Sequence, residues 1–171
     1  EITVEVYSMI TQSEHSEGLV GGFQTWSPDG ASYLFWADPH RSPPTVSWRV
    51  QGTSSTSPRL DAGISLNVWQ HYVGTYSKTE GKIRLYVNGE LKAEDSFNES
   101  IAYPDISWYI GRYTTNYHGG LISYVRIYNL ALTTVEIQHN YLNPLSPVLD
   151  GLVLWLKMEE GSGTTVHDYS G

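Results

Sequence analysis

The sequence predicts an all-β antiparallel sandwich with one short helix, and three observations point there. Apolar and polar residues alternate with a period of two in short runs. Turn residues punctuate those runs, and a helix start is signalled once. Ile2, Val4 and Val6 alternate with Thr3, Glu5 and Tyr7, and Trp69, His71 and Val73 with Gln70, Tyr72 and Gly74. Ile106, Trp108 and Ile110 alternate with Ser107, Tyr109 and Gly111. Leu121, Ser123, Val125 and Ile127 alternate with Ile122, Tyr124, Arg126 and Tyr128. Successive side chains of a strand point to opposite faces, so each run can bury one face.

The hairpin signal is strongest at Lys82 to Ala93, around Asn88-Gly89. Asn-Gly usually closes a two-residue turn. That register would put Glu90 and Lys92 on the face of Val87 and Leu85. A three-residue loop with Gly89 as a left-handed bulge sets Leu91 opposite Leu85 and Ala93 opposite Ile83, so the bulged turn is predicted. Thr133 with Glu136 three residues on is a capping box, and Ile137 and Tyr141 share one helix face. Pro144 and Pro147 stop the helix and stiffen a connector over 144–148. Gly52 to Pro58 and Thr11 to Gly18 read as loops, and Leu152 to Met158 as a fresh strand before a polar, Gly-rich tail.

Composition narrows the functional classes. Of 171 residues, 40% are apolar, enough for a core, while 16% are charged; ordinary soluble domains carry roughly 25%. Ten basic residues minus eighteen acidic gives −8 at pH 7. That balance opposes duplex nucleic acid and anionic membrane surfaces, both of which reward Lys and Arg. No apolar run approaches the roughly 20 residues of a transmembrane helix. Glu1-Ile2-Thr3-Val4 reads as strand, with no basic-then-apolar leader. Cysteine is absent, which excludes disulfide scaffolds and thiolate metal sites and fits an extracellular location or a cell or virion surface. Asn98-Glu99-Ser100 is a sequon, so Asn98 is a candidate glycosylation site.

Three blocks resemble the laminin-G-like branch of the concanavalin A-like jelly-roll family. Trp69-Gln70-His71-Tyr72-Val73 with Leu85-Tyr86-Val87-Asn88-Gly89 is similar to the family's tryptophan-containing strand and hairpin. Gly119 to Asn129 with Ala131-Leu132 and Glu136-Ile137 resembles its closing strand and helix. Asp150 to Leu156 with Glu160 to Asp168 looks like the start of a family unit. The resemblance implies an antiparallel jelly-roll β-sandwich. It also implies a body over 1–143 that lacks the family's opening strands, the connector, and an opening strand displaced to 149–171. A lone strand with an apolar face is unstable in water, so this one is expected to pair, in cis or in trans.

Catalytic patterns are missing. Glycoside cleavage needs two carboxylates about 5–9 Å apart, and the Glu-x-Asp-x-x-Glu strand of the family's glucanases does not occur. Glu94-Asp95 and Glu159-Glu160 would point to opposite faces. His15, His40, His71, His118, His139 and His167 are scattered, with no Gly-x-Ser-x-Gly elbow; His71 is expected to pack within its strand. No enzyme is predicted and no cofactor is called for. Calcium is the metal the loops could take, with Asp29, Asp38, Asp150 and Asp168 as candidates. The family's usual acidic pair is replaced by Ser123 and Tyr124, so the metal assignment stays unknown.

Two functions remain. The displaced strand points to a non-catalytic extracellular structural or adhesion module. It would assemble with identical subunits or tandem neighbours by strand addition into a surface fibre or array, through Leu152, Val153, Leu154, Trp155, Leu156 and Met158. The alternative is a carbohydrate-binding module of a larger secreted protein. Its candidate glycan contacts are Trp26, Tyr33, Trp36, Asn116 and Tyr117, because flat rings stack on sugar faces and amides bind hydroxyls.

Overall fold

The computed structural model describes residues 1–11, 14–24 and 27–171. Among them the strands are β1 (Ile2–Met9), β2 (Glu17–Phe23), β3 (Ala31–Asp38), β4 (Thr45–Val50), β5 (Leu60–Gly63), β6 (Trp69–Ser77) and β7 (Lys82–Val87). They continue as β8 (Glu90–Ser96), β9 (Tyr109–Ile110), β10 (Arg112–Tyr113), β11 (Asn116–Tyr117), β12 (Leu121–Tyr128) and β13 (Leu152–Leu156), with helix α1 (Thr134–Leu142). Six strands form one sheet in the order β13-β12-β1-β6-β7-β8, and five form the other as β5-β4-β3-β2-β9. The pairings are antiparallel, and the two sheets pack as the jelly-roll sandwich that the alternation predicts.

The core lies between the sheets. From the six-stranded sheet come Val4, Val6, Tyr72, Tyr76, Leu85 and Val125, and from the other Leu19, Phe35, Val46 and Trp48, each wholly buried. The inner face of β6 is therefore Tyr72, Gly74 and Tyr76. Gly74 is required there, since a Cβ would stand 2.3 Å from the Trp48 ring.

The opposite face of the six-stranded sheet is also covered. Val73, Tyr86 and Tyr128 pack with Leu132 and Ile137 from the helical segment and with Leu152 and Trp155 of β13. Thr133 caps the helix as expected: its Oγ1 accepts from Glu136 N, and Glu136 Oε2 accepts from Thr133 N at 2.8 Å. Beneath α1 lies a buried polar cluster. Arg126 Nη1 donates to Glu5 Oε2 at 3.2 Å, Asn140 Nδ2 donates to Glu5 Oε1 at 2.8 Å, and His71 Nε2 stands 3.6 Å from Glu5 Oε1. Burial alone would raise the Glu5 pKa. The His71 ring, the Arg126 charge and the Asn140 amide outweigh burial and hold the carboxyl below its ordinary range.

Three local expectations are corrected. The Asn88-Gly89 turn is the two-residue form, with Val87 opposite Glu90 and both turn residues at positive φ, 53° and 77°. The extra residue is absorbed further along β8, so Leu85 faces Ala93 and Tyr86 faces Leu91. The two-residue turn is fixed because Asn88 bonds β6 twice: His71 N donates to Asn88 Oδ1 at 2.9 Å, and Asn88 N to His71 O at 2.7 Å. The run Ile106 to Gly111 supplies only two strand residues, because its alternation serves a crossing loop. The last strand ends at Leu156; Met158 follows at φ 52° and packs its side chain back on the main core.

β13 itself pairs in cis, antiparallel to β12, with Val125 opposite Leu156 and Ile127 opposite Leu154. The tail folds along its outer edge. Trp155 N donates to Asp168 Oδ1 at 2.9 Å, and Tyr169 N to Trp155 O at 2.8 Å.

Candidate functional site

The two sheets end unevenly on one side. The six-stranded sheet finishes in β13, whereas the other finishes in β9, only two residues long. Between them a recess of about 330 Å³ opens, floored by Val20, Ile110, Ile127 and Leu154 and walled by Tyr33, Trp108 and Tyr109. Tyr33 is buried, while Trp108 is 41% and Tyr109 36% exposed. The Tyr33 and Trp108 rings lie 4.5 Å apart at 51°. The indole also rests on Gly22, where a Cβ would come within 3.1 Å of it. A backbone position without a side chain thus lets the ring lie flat against β2.

Two smaller recesses continue from this one. A space of about 230 Å³ shares Tyr33, Trp108 and Ile127 with it and adds Tyr103, Asn129 and Val153. A third, of about 220 Å³, shares Tyr103 and Glu1 with the second and ends at Lys78, Glu99 and Ser100. Lys78 Nζ donates to Ser100 Oγ at 2.9 Å, and Ser77 Oγ donates to Glu1 Oε1 at 2.9 Å. Tyr103 is 65% exposed. Burial first, then the nearby Tyr103, pushes the Tyr33 phenol up, and burial raises Tyr103 as well. Both stay neutral hydroxyls that can donate or accept. The cleft thus runs from an aromatic, apolar end to a polar one.

The candidate glycan contacts are divided by the fold. Tyr33 faces inward and forms the cleft wall. Trp36 sits on the opposite face of the same sheet and is 5% exposed, with Arg59 4.9 Å over its ring and Tyr113 stacked at 6.4 Å. Its Nε1 donates to Asp38 Oδ2 at 3.2 Å. Asn116 Nδ2 donates to Ser16 O at 3.4 Å, and Tyr117 is 73% exposed beside Arg112, whose guanidinium also lies 4.4 Å over Tyr109. Trp26 lies outside the described residues. Asn98 is exposed, directly before two residues of the polar recess. Trp108, Tyr109 and Tyr103 were missed in the sequence because the first two read as strand residues. Their signal was the Pro104 interruption beside several aromatics.

Around Trp36 the carboxylates are engaged. Arg59 Nη2 reaches Asp38 Oδ2 at 2.5 Å, Ser16 Oγ donates to Asp38 Oδ1, and Arg59 Nε binds Asp61 Oδ1 at 2.6 Å. Burial would raise the Asp38 pKa, but the Ser16 and Arg59 hydrogen bonds and the arginine charges lower it. Among the other calcium candidates, Asp168 accepts from Trp155 N and Ser170 N. Among the described residues no three His, Asp or Glu side chains gather in a way that could hold a metal ion.

One constellation was not foreseen. Ser8 Oγ lies 3.0 Å from His118 Nε2, and His118 Nδ1 lies 2.9 Å from Glu17 Oε2. The order is that of a nucleophilic triad, but Ser8 is wholly buried and its hydroxyl donates to Leu121 O at 2.8 Å. No substrate carbonyl can reach that oxygen. The trio instead ties the segment after β11 to β1 and β2.

The fold has solved counterparts. A candidate carbohydrate-binding protein from Bacteroides ovatus matches with a TM-score of 0.73 and 22% identity over 99% of this chain. The chain spans about half of that protein, 49%. A heptameric SAP-like pentraxin from Limulus polyphemus matches at 0.66 and 16% identity, over 99% of this chain and 80% of its own. Domain 4 of an extracellular arabinanase from Geobacillus stearothermophilus, solved with arabinotriose, matches at 0.57 and 20% identity, over 81% and 65%. No curated protein matches the sequence. The family model of the concanavalin A-like lectin/glucanase superfamily matches residues 1–138, and the chain belongs to that superfamily.

Proposed function

We propose that this chain is a non-catalytic carbohydrate-binding module of a larger extracellular protein, with the cleft between β9 and β13 as its binding site. The observation that carries the reading is the pair of exposed rings, Trp108 and Tyr109, on a recess whose floor is apolar, with the exposed Tyr103 on the recess beside it. Aromatic faces at a concave site stack on the C–H faces of sugars, while neighbouring hydroxyl, amide and charged groups bind ring hydroxyls. The arabinotriose-bound arabinanase domain and the candidate carbohydrate-binding protein of similar fold support the class. The test is a glycan array with the purified chain, repeated with Trp108→Ala. A reproducible ligand whose binding falls at least tenfold in the variant, with an unchanged unfolding midpoint, is expected. No signal on any glycan, or binding untouched by the substitution, overturns the site.

Assembly by strand addition is the second reading, and β13 carries it as the outermost strand of the six-stranded sheet. Its pairing with β12 of its own chain, the bond of Leu152 N to Leu149 O and the tail bonds to Trp155 leave the edge at Val153 as the place a neighbour could extend. Size measurement by analytical ultracentrifugation across concentrations tests it. A persistent monomer with Val153→Lys indistinguishable from the parent chain removes this reading.

A further inference from the structure

The three recesses share walls in sequence: Tyr33, Trp108 and Ile127 join the first to the second, and Tyr103 and Glu1 join the second to the third. They adjoin one another through these shared residues and differ in chemistry from one end of the run to the other. At one end the rings of Tyr33 and Trp108 face Leu154 and Ile110. At the other, Lys78 Nζ and Ser100 Oγ present a hydrogen-bonded pair, and both residues are exposed. The charged residues along it are Glu1, Glu99 and Lys78, two acids against one base, on a chain of net charge −8. Such a field repels an anionic ligand. Small-molecule pockets span roughly 300–1,000 Å³; the apolar recess reaches that range alone at about 330 Å³, and the other two adjoin it.

From this we infer that the three adjoining recesses act as one groove that binds an uncharged oligosaccharide chain laid lengthwise, stacked on the exposed Trp108 ring at one end and hydrogen-bonded near Lys78 and Ser100 at the other. The inference rests on the cleft being a sugar site, and it adds the ligand's length, charge and orientation.

Isothermal titration with neutral cello-, xylo- and arabino-oligosaccharides from disaccharide to hexasaccharide tests it, with oligogalacturonides as the charged comparison. Affinity for the preferred neutral series should rise roughly tenfold from disaccharide to tetrasaccharide and then level off, and the galacturonides should bind at least tenfold more weakly. Lys78→Met should lower affinity for the tetrasaccharide about fivefold, one hydrogen bond's worth, and leave the disaccharide unchanged. Trp108→Ala should weaken both. Affinity independent of chain length, equal losses for both lengths in Lys78→Met, or tighter binding of galacturonides overturns the inference while leaving the sugar site intact. Failure to bind any of these or any arrayed glycan overturns both. A concentration-dependent dimer abolished by Trp108→Ala also overturns both, because a second copy would then fill the groove.

Discussion

Arg126 Nη1 donates to Glu5 Oε2 at 3.2 Å, with both side chains wholly buried between the six-stranded sheet and α1. Arg126 also donates through Nη2 to the Pro144 carbonyl and lies between the Tyr124 and Trp155 rings, at 4.2 and 4.8 Å. One guanidinium therefore joins β1, β12, β13 and the connector. Removing one partner of a buried pair leaves the other charge uncompensated, at a cost of about 3–5 kcal/mol. Glu5→Gln should lower stability by that order in urea unfolding at pH 7. Arg126→Met with Glu5→Leu should lose less than Glu5→Gln alone, because no lone charge remains. A Glu5→Gln loss under about 1 kcal/mol would show the pair is not structural.

The same carboxylate sets a pH dependence. Its folded pKa lies below the ordinary value, so the unfolded chain binds more protons at low pH. The contribution is fully present above about pH 5, beyond the unfolded carboxylate pKa of about 4.3, and is lost as pH falls through the depressed folded value. Unfolding midpoints measured from pH 7 down to pH 3 should fall for the parent chain. The fall should be shallower in Glu5→Gln. Parallel curves for the two proteins would exclude Glu5 as a source of the slope.

Gly74 and Trp48 give a sharper mutational contrast. Trp48 is wholly buried, and its Nε1 donates to Thr75 O at 3.2 Å. A methyl group at 74 would overlap the indole at 2.3 Å from Cδ2, and the ring is hemmed by Tyr33 and Phe35 at 5.8 and 5.5 Å. Gly74→Ala should cost on the order of 3 kcal/mol, at the upper end for overpacking. Gly63→Ala has open space around it and should stay within about 0.5 kcal/mol, as surface changes do. Equal thermal midpoints for the two variants would contradict the packing.

The sandwich, the capped helix and the final strand were legible because each rests on local pattern: period two, Thr133 with Glu136, and an apolar run after two prolines. The site was not. Trp36 and Tyr33 lie three residues apart on one strand, so they point to opposite faces, and the sequence cannot say which face is covered. Trp36 is hidden by Arg59 and Tyr113, whereas Tyr33 borders the cleft. Trp108 becomes a cleft residue only because β9 begins after it, at Tyr109, and Gly22 admits its ring. Ser8, Glu17 and His118 meet across a separation of up to 110 residues, beyond any local spacing rule.

The hairpin shows the limit of face matching. Register by apolar faces favoured a bulge at Gly89, but two bonds from Asn88 to His71 fix the two-residue turn, and the mismatch moves into β8. Asn88→Ala should therefore cost about 1–3 kcal/mol through the left-handed backbone at φ 53° and the lost side-chain bond. Asn88→Gly, which relieves the backbone but not the bond, should cost less. Chemical unfolding of the two variants separates these terms, and an Asn88→Gly loss larger than that of Asn88→Ala would show that backbone strain is not part of the cost.

Removal of residues 149–171 tests what the last strand does for its own chain. Leu152 and Trp155 are each 9% exposed and pack with Tyr128, Leu132 and Ile137. Burying each such side chain contributes about 1.5–3 kcal/mol, and their loss would also bare the neighbours and uncover Arg126 beside Trp155. Domains of this size are stable by only about 5–15 kcal/mol. The truncated chain should therefore be partly unfolded or aggregated at 37 °C, with a steep loss of cooperative melting by circular dichroism. Adding the peptide 149–171 in excess should restore the transition if the strand's place is its own sheet edge, and the recovered midpoint should rise with peptide concentration. A shorter truncation that keeps β13 but removes 159–171 should remain folded, because what is lost lies along the outer edge of β13: the bonds of Asp168 and Tyr169 to Trp155, the Trp155–Tyr169 ring contact and the contacts of Lys157 with Tyr169 and Glu159. A truncated 1–148 chain that melts cooperatively at the parent temperature would show that β13 contributes nothing to this sandwich, leaving it free to pair with a neighbour.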